Sequence, residues 1–171
     1  WKSSFDTALG GRPIGRIVVT HYHPDHAGNA AWLCERFNAP LWMTRGEFLT
    51  VHSVLHGVAS FSAAASSALF RANGIEPAMA AALNARGDLY SKLVPAFPQQ
   101  HRRLMEGAIV SFGGQDWRVI IGHGHAPEHA SLYCEKLNVL ISGDMLLPKI
   151  STNVAVRPID PMADPLGQFL K

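Results

Sequence analysis

The chain has 171 residues, 47% hydrophobic and 16% charged, which is enough apolar material for one domain with a buried core and excludes disorder of the whole chain. Fifteen Lys and Arg against thirteen Asp and Glu give a net charge of +2 without a long basic run, so the charge does not support nucleic-acid binding. No apolar run approaches the roughly 18 residues of a membrane-spanning helix, and Cys34 and Cys134 are too isolated for a disulfide scaffold or a thiolate zinc site. We therefore expect a soluble, cytoplasmic protein with no membrane or nucleic-acid partner.

The two ends of the chain are unusual. The sequence begins with Trp1 rather than Met, carries no signal-peptide pattern, and stops at residues 168–171 in a helix-like pattern. These features predict a fragment of a longer protein.

The first part of the chain predicts a strand, a helix and a second strand. Residues 1–9 have the pattern of the tail of an amphipathic helix, and the β-branched run 17–20 predicts a buried strand. Residues 27–37 predict a helix and residues 40–43 a strand. This order is typical of a βαβ unit, in which chemistry concentrates at the carboxyl ends of the strands.

The pattern changes twice after residue 44. Residues 45–106 are rich in Ala, Leu and Ser and predict three or four helices, which would form a helical insertion within a single domain of residues 1–171. The proline-rich stretch 146–171 predicts mostly irregular backbone. Between these segments, short apolar runs predict a β-meander, with strands at 108–112, 117–121, 130–134 and 138–142.

Three imidazoles and a carboxylate follow the first predicted strand directly, at His21, His23, Asp25 and His26. In extended backbone, His21 and His23 project to the same side and would form a pair of metal ligands. Asp25 and His26 follow a turn at Pro24 and can face a second metal or orient the first pair. A catalytic zinc site takes three protein ligands and a water, so a third ligand must come from elsewhere.

Residues 122–129 and Asp144 supply candidates for the remaining ligands. The segment 122–129 contains His123, His125 and His129 and follows the predicted strand 117–121, whereas Asp144 ends another apolar strand. Three strand ends at one shared edge could hold two metals, with Asp144 bridging them and a hydroxide between them.

The motifs resemble those of the metallo-β-lactamase superfamily, which includes glyoxalase II and related ester and thioester hydrolases. Three separate elements agree in order and in placement: His-x-His-x-Asp-His at His21, His23, Asp25 and His26; Gly-His-x-x-x-His at Gly124, His125 and His129; and Ser/Thr-Gly-Asp at Ser142, Gly143 and Asp144.

The resemblance implies an α/β (α+β) fold, the αββα sandwich, which is incomplete here because the opening strands are lacking. It also implies the metal ligands: His21, His23 and His125 for one metal, Asp25 and His26 for a second, and Asp144 between them. His129 would support the site by hydrogen bonding. The implied cofactor is two Zn²⁺ ions, with Fe or Mn as alternatives, although no His follows His129 to complete the second metal's usual ligand set.

The expected activity is metal-dependent hydrolysis of a small ester, thioester or lactone, with Asp25 accepting the proton of the attacking water. Three alternatives stay open: a mononuclear iron oxidoreductase resembling the persulfide dioxygenases, a nucleic-acid-processing enzyme, which the charge does not favour, and a truncated, non-catalytic metal-binding fragment.

The insertion 45–106 falls between the two histidine clusters, so we expect it to form a substrate pocket or a lid. A dimer contact or simple packing of the helices would explain it equally well, and a homodimer could also cover an exposed sheet edge. The expected apolar pocket wall consists of Phe48, Leu55, Phe61, Leu69, Phe70 and Met79.

Four other residues have simpler interpretations. His52 and His56 share a helix face but lack the adjacent Glu of a metalloprotease helix, so we expect them to face solvent or line a cleft. His123 is expected to be a loop histidine, and Tyr22 to pack against the neighbouring sheet layer.

Overall fold

The computed structural model describes residues 3, 5, 7, 9–85, 87 and 89–171. The helix predicted over residues 1–9 therefore lies partly outside the described residues, although positions 3, 5 and 7 have helical backbone. No helix among the described residues is long and apolar enough to cross a membrane.

The described part of the fold contains seven strands and seven α-helices with defined bounds. The strands are β1 (Ile17–Val18), β2 (Leu41–Met43), β3 (Arg102–Arg103), β4 (Ile109–Phe112), β5 (Gln115–Gly122), β6 (His129–Cys134) and β7 (Val139–Ile141). The helices are α1 (Pro24–Ala27), α2 (Ala30–Phe37), α3 (Arg45–Leu55), α4 (Ala63–Ala72), α5 (Pro77–Ala85), α6 (Tyr90–Leu93) and α7 (Pro165–Phe169), with 3₁₀ turns at Ala59–Phe61 and Gly143–Met145.

The first sheet is parallel, with strand order β1-β2-β3. Ile17 pairs with Leu41, and Met43 pairs with Arg103, so the predicted βαβ unit is confirmed. The single helix predicted over 27–37 was wrong in one respect, because the chain turns between α1 and α2. His26 of α1 lies beside Thr20, directly after β1, with its Nδ1 at 3.5 Å from the Thr20 hydroxyl.

The interval 45–106 is helical only as far as Leu93. It holds four of the α-helices, as predicted, but residues 102–103 form strand β3, which the sequence did not predict. Both residues of β3 are exposed arginines, so no apolar alternation marks them, and the Arg102 guanidinium lies over the Trp42 ring of β2.

The second sheet is an antiparallel meander in the order β4-β5-β6-β7, and all four predicted strands are confirmed with small shifts of their ends. The last segment is largely irregular, as predicted, apart from α7 and a bridge between Arg157 and Asp160.

Two apolar clusters hold these layers together. One lies between the first sheet and its helices and includes Val19 and Met43 from the sheet side and Val51 and Phe97 from the opposite side. The other lies between the two sheets, where Val18 and Trp42 of the first sheet pack against it. Its buried members are Leu104, Val110, Trp117, Val119, Ala130, Leu132 and Cys134. This face-to-face arrangement of sheets, with helices outside the first, confirms the predicted fold class.

A backbone hydrogen bond joins the two sheets at one edge. The N–H of Ala130, in β6, donates to the carbonyl of Thr20, directly after β1, at 2.9 Å. The segments that follow β1, β5 and β7 therefore meet at this edge, which is where the sequence places the histidines and Asp144.

Candidate metal centre

Three imidazole nitrogens converge at the edge where the sheets meet. His21 Nε2 lies 2.9 Å from His23 Nδ1, His23 Nδ1 lies 3.0 Å from His125 Nε2, and His125 Nε2 lies 3.2 Å from His21 Nε2. A carboxylate oxygen of Asp144 lies 3.6 Å from His125 Nε2. These four residues form a group whose donor atoms all lie within 4.8 Å of one another.

The chemistry of this group fits a divalent cation. His125 Nδ1 lies 2.8 Å from the carbonyl oxygen of Asn153, and since a carbonyl can only accept, Nδ1 carries the proton and Nε2 turns its lone pair to the centre. Burial, together with the neighbouring imidazoles, lowers the pKa of His23 to about 3 and moves the pKa of His21 far below its ordinary value. Neutral imidazoles with converging lone pairs are the donors that first-row metals take.

A second group shares Asp144 with the first. It consists of Asp25, His26 and Asp144, with His26 Nε2 at 3.2 Å from one Asp144 oxygen and 3.6 Å from an Asp25 oxygen. Helix α1, which begins at Pro24, turns Asp25 and His26 back toward the end of β1. The structure thus brings together all six residues that the sequence assigned as ligands, in a metal-binding cluster divided as expected; ligation by each one stays a prediction.

His129 lies beside the cluster and belongs to neither donor group. It is fully buried, its ring stacks on His21 at 4.8 Å between centroids, and its Nε2 accepts the backbone N–H of Asp144 at 3.2 Å. Desolvation by burial is the largest influence on its pKa, which is lowered to about 4. Neutral His129 therefore positions Asp144 through the backbone.

Glu47 connects residues 21–26 with residues 122–129, the two segments that carry the predicted histidine ligands. Nothing in the sequence singled out this residue. This fully buried carboxylate accepts the Tyr22 N–H at 2.8 Å and the Glu128 N–H at 2.6 Å. Burial raises its pKa to about 7, although the two backbone donors act in the opposite direction. A Glu in the first turn of a helix is common, so no sequence signal distinguishes this one.

The start of α3 makes two further hydrogen bonds to the segment 122–129, both to Glu128. The Thr44 hydroxyl donates to the Glu128 carbonyl at 2.8 Å, and the Gly46 N–H donates to the Glu128 carboxylate at 2.8 Å. A Cβ on Gly46 would lie 2.9 Å from the Glu128 side chain, so a larger residue would push this carboxylate away from the Gly46 N–H. The helix that opens the insertion is therefore part of the support for the site.

Residues 152–157 cross the site from the other side. The Thr152 hydroxyl donates to the Asp144 carbonyl at 2.8 Å, and the Asn153 carbonyl accepts from His125. Arg157 Nη2 lies 3.3 Å from His23 Nε2. The irregular segment thus contacts three of the predicted ligands, a role that its proline-rich sequence does not reveal.

Neither donor group contains the four residues with simpler interpretations, which are His52, His56, His123 and Tyr22. His123 is exposed, and its Nδ1 lies 2.7 Å from the Pro127 carbonyl. His52 packs against Phe48 and lies 3.1 Å from the Pro98 carbonyl, and His56 is exposed. Tyr22 is buried, but in the core between the first sheet and its helices rather than against the neighbouring sheet layer as expected, and its carbonyl accepts from the Tyr90 hydroxyl.

Two pockets flank the cluster and share Tyr22, Phe61 and Arg157. The first, called here the helical pocket, has a volume of about 450 Å³ and is lined by His23, by eight residues between 54 and 66, and by Gly87, Leu89, Tyr90 and Ser91. The second, called the loop pocket, has a volume of about 420 Å³ and is lined by His125 and by residues between 155 and 168.

The expected apolar wall was wrong in part. Leu55 and Phe61 line the helical pocket, but Phe48 packs into the core, and Phe70 and Met79 face solvent. Leu69 is absent from the lining of the described pockets. Helical periodicity indicates that such residues share a face but does not indicate which neighbour covers it.

The donor groups, the two sheets and their order agree with a known family. A family model described as the metallo-beta-lactamase superfamily matches residues 2–168. This chain belongs to the metallo-beta-lactamase superfamily. The resemblance inferred from the three motifs is thereby confirmed for the family as a whole.

Three similar proteins show how much of the family fold is present. A beta-lactamase domain protein from Burkholderia ambifaria, known from a crystal structure, has 44% sequence identity to this chain and a TM-score of 0.82. The match covers 99% of this chain and 48% of the Burkholderia chain. The Bacillus subtilis (strain 168) protein "Probable metallo-hydrolase YflN" is 26% identical over 144 residues, 80% of this chain and 46% of its own. The crystal structure of TTHA1623 in a di-iron-bound form is 24% identical, with a TM-score of 0.60 over 99% of this chain and 66% of its own, a likeness of fold alone.

The chain spans about half the length of the first two of these relatives. The activity of the whole protein, its substrate and its metal are therefore matters for proposal.

Proposed function

We propose that this chain carries the metal centre of a zinc-dependent hydrolase that acts on a small ester, thioester or lactone. The observation that carries the proposal is the sharing of Asp144 by two donor groups, one made of three histidines and one of Asp25 and His26. A shared carboxylate is what a two-metal site requires, and bound metals in such a site lower the pKa of water and polarise a carbonyl oxygen.

Residues in and around the cluster would accept the proton of the water and hold the predicted ligands in position. Asp25 is the most exposed member, with 75% of its side chain accessible, so it can meet a water and accept its proton. His129 and Thr152 hold the backbone of Asp144, and Asn153 holds His125 in the tautomer that presents Nε2. These contacts supply the orientation that a catalytic metal site needs from its surroundings.

The two pockets favour a substrate with a group on each side of the bond that is cleaved. Leu55, Val58 and Phe61 make part of the helical pocket apolar, which suits an acyl chain, and the loop pocket can take the leaving group. The helical segment of 45–106 would then serve as the substrate pocket. A nucleic-acid substrate gains no support, because the net charge is only +2.

The proposal is tested on protein purified without chelator. Zinc, iron and manganese are measured per chain, and hydrolysis of p-nitrophenyl esters, S-acyl glutathiones and lactones is followed in wild type, Asp25→Asn, His125→Ala and His56→Ala. We expect about two metal ions per chain, loss of turnover in the first two variants, and unchanged turnover in His56→Ala, whose imidazole lies outside both donor groups.

Three results would contradict the proposal. Unchanged turnover in Asp25→Asn and His125→Ala would remove the assigned site. One iron per chain with oxygen uptake on a persulfide substrate would instead indicate the mononuclear dioxygenase chemistry. Bound metal without turnover on any substrate would identify the chain as a non-catalytic metal-binding fragment.

A further inference from the structure

We propose that Arg157 binds a carboxylate group of the substrate at the junction of the helical pocket and the loop pocket. This inference rests on the proposed hydrolase function and narrows its substrate to an ester, thioester or lactone that bears a carboxylate.

Arg157 occupies the place where the two pockets meet. It is half-buried and lines both of them, and its guanidinium carbon lies 5.9 Å from the centre of the Tyr22 ring. Among the described residues that line these pockets, it is the one Lys or Arg. An arginine stacked on an aromatic face is held in position for a planar ligand.

Among the described residues, no carboxylate forms an ion pair with Arg157, although its charge is felt at the buried Glu47. The ion pairs in the described part of the chain all join histidines to Asp25 or Asp144. The nearby buried carboxylate, Glu47, is committed to the backbone N–H groups of Tyr22 and Glu128. Arginines are rarely buried unless they are paired, so a half-buried and unpaired guanidinium in a pocket is available to an anionic ligand.

The contact of Arg157 with His23 strengthens this argument. His23 turns Nδ1 into the cluster, so when Nδ1 gives its lone pair there, the neutral ring must carry its proton on Nε2. Nε2 then faces Arg157 Nη2 at 3.3 Å, and arginine has donors only. In that tautomer two N–H donors face each other, and a carboxylate can accept from both. In the other tautomer His23 Nε2 accepts from Arg157, but this contact uses one of the five N–H donors of the guanidinium and leaves the rest for a carboxylate.

The charge of the surroundings favours a carboxylate over a phosphate. One cationic side chain matches the single charge of a carboxylate, whereas a phosphate monoester carries close to two negative charges at neutral pH. Asp160 also lines the loop pocket and would repel a dianion more strongly than a monoanion.

The experiment measures binding, so it does not depend on turnover. Dissociation constants are determined by calorimetry for 4-phenylbutyrate, the neutral 4-phenylbutyramide and phenyl phosphate, with metal-loaded and with metal-free protein. The variants are Arg157→Gln, Arg157→Lys and the matched control Arg118→Gln, which removes the same charge from an exposed site on β5. Metal content is measured for each variant.

We expect wild type to bind 4-phenylbutyrate at least about tenfold more tightly than the amide, since hydrogen bonds between charged groups are about twice as strong as neutral ones. This preference should be lost in Arg157→Gln, partly kept in Arg157→Lys and fully kept in Arg118→Gln. It should also persist in metal-free protein, which separates Arg157 from a carboxylate bound by the metals.

Three outcomes would overturn the proposal. A preference that disappears with the metal would assign carboxylate binding to the metals. Tighter binding of phenyl phosphate than of 4-phenylbutyrate would replace the carboxylate with a phosphate. Loss of metal from Arg157→Gln with an unchanged preference for the carboxylate would make Arg157 a positioning residue for His23. Because none of these readouts needs hydrolysis, failure here is distinguishable from failure of the proposed function.

Discussion

The carboxylate of Glu47 accepts the backbone N–H of Tyr22 at 2.8 Å across 25 positions of sequence. Tyr22 lies between the predicted ligands His21 and His23, so this bond ties the loop after β1 to the first turn of α3. The other oxygen of Glu47 accepts the N–H of Glu128, next to His129. One buried side chain therefore sets the distance between both histidine segments.

Replacing Glu47 by Ala should lower the free energy of unfolding by about 2–4 kcal/mol, because two buried backbone donors would lose their acceptor. Urea unfolding of the metal-free protein checks this expectation. Glu35→Ala is the matched control, since Glu35 is exposed on α2, and it should change the stability by less than about 0.5 kcal/mol. Equal effects of the two substitutions would contradict the role of Glu47.

The raised pKa of Glu47 predicts a specific pH dependence. Between its ordinary value of 4.5 and its folded value of about 7, the folded protein holds more protons than the unfolded chain at this group. Its contribution to stability is therefore complete below pH 4.5 and is lost as the pH rises through 7. In Glu47→Gln nothing titrates there, so the stability of wild type relative to this variant should fall by roughly 2 kcal/mol between pH 5 and pH 8.

The same unfolding experiment, repeated at four pH values, measures this difference. All histidines are identical in the two proteins, so their titration cancels in the comparison. A difference in unfolding free energy that stays constant with pH would show that the pKa of Glu47 is not raised.

The backbone conformation at Gly143 and the lack of space beside it explain why the Ser-Gly-Asp element has glycine at this position. It has a φ of +49°, and a Cβ there would lie 2.5 Å from His129 Nε2. Gly143→Ala should displace His129 and the Asp144 backbone and weaken metal binding by roughly 10–100-fold, the usual effect of disturbing the support of a ligand.

Gly107→Ala provides the control for backbone strain. Gly107 has a φ of +73°, but a Cβ there would meet no atom within 4 Å. Both substitutions should reduce stability, by roughly 1 kcal/mol from the strained φ alone. Only Gly143→Ala should lower the metal affinity measured by competition with a chromogenic chelator, and equal metal affinities would contradict the steric argument.

Phe61 lies where the two pockets meet, so its size should influence substrate choice. Phe61→Ala should shift the preference among p-nitrophenyl esters toward longer acyl chains, with a change of about 10-fold or more in the ratio of kcat/KM values. Phe70→Ala removes an equally large ring from an exposed position on α4 and should leave the ratio unchanged. An unchanged ratio in Phe61→Ala would remove the helical pocket from the substrate site.

Much of the site could be predicted because its information is local in the sequence. The spacing of His21, His23, Asp25 and His26 after a β-branched strand indicated both the chemistry and the carboxyl end of the strand. Alternating apolar residues indicated the meander that brings His125 and Asp144 to the same edge. Side-chain periodicity and turn residues carry these signals without any knowledge of distant contacts.

The tertiary structure alone decided which residues support the ligands. The carbonyl of Asn153 holds His125, but every residue has a carbonyl, so no residue type marks it. Glu47 and Arg157 became significant only because folding removed one carboxylate from solvent and placed one guanidinium beside His23, with no ion pair to it from the residues that the structure describes. The sequence by itself determined which residues are the candidate ligands and which strands carry them. Their orientation depends on contacts between segments up to 134 positions apart, which only the packed chain defines.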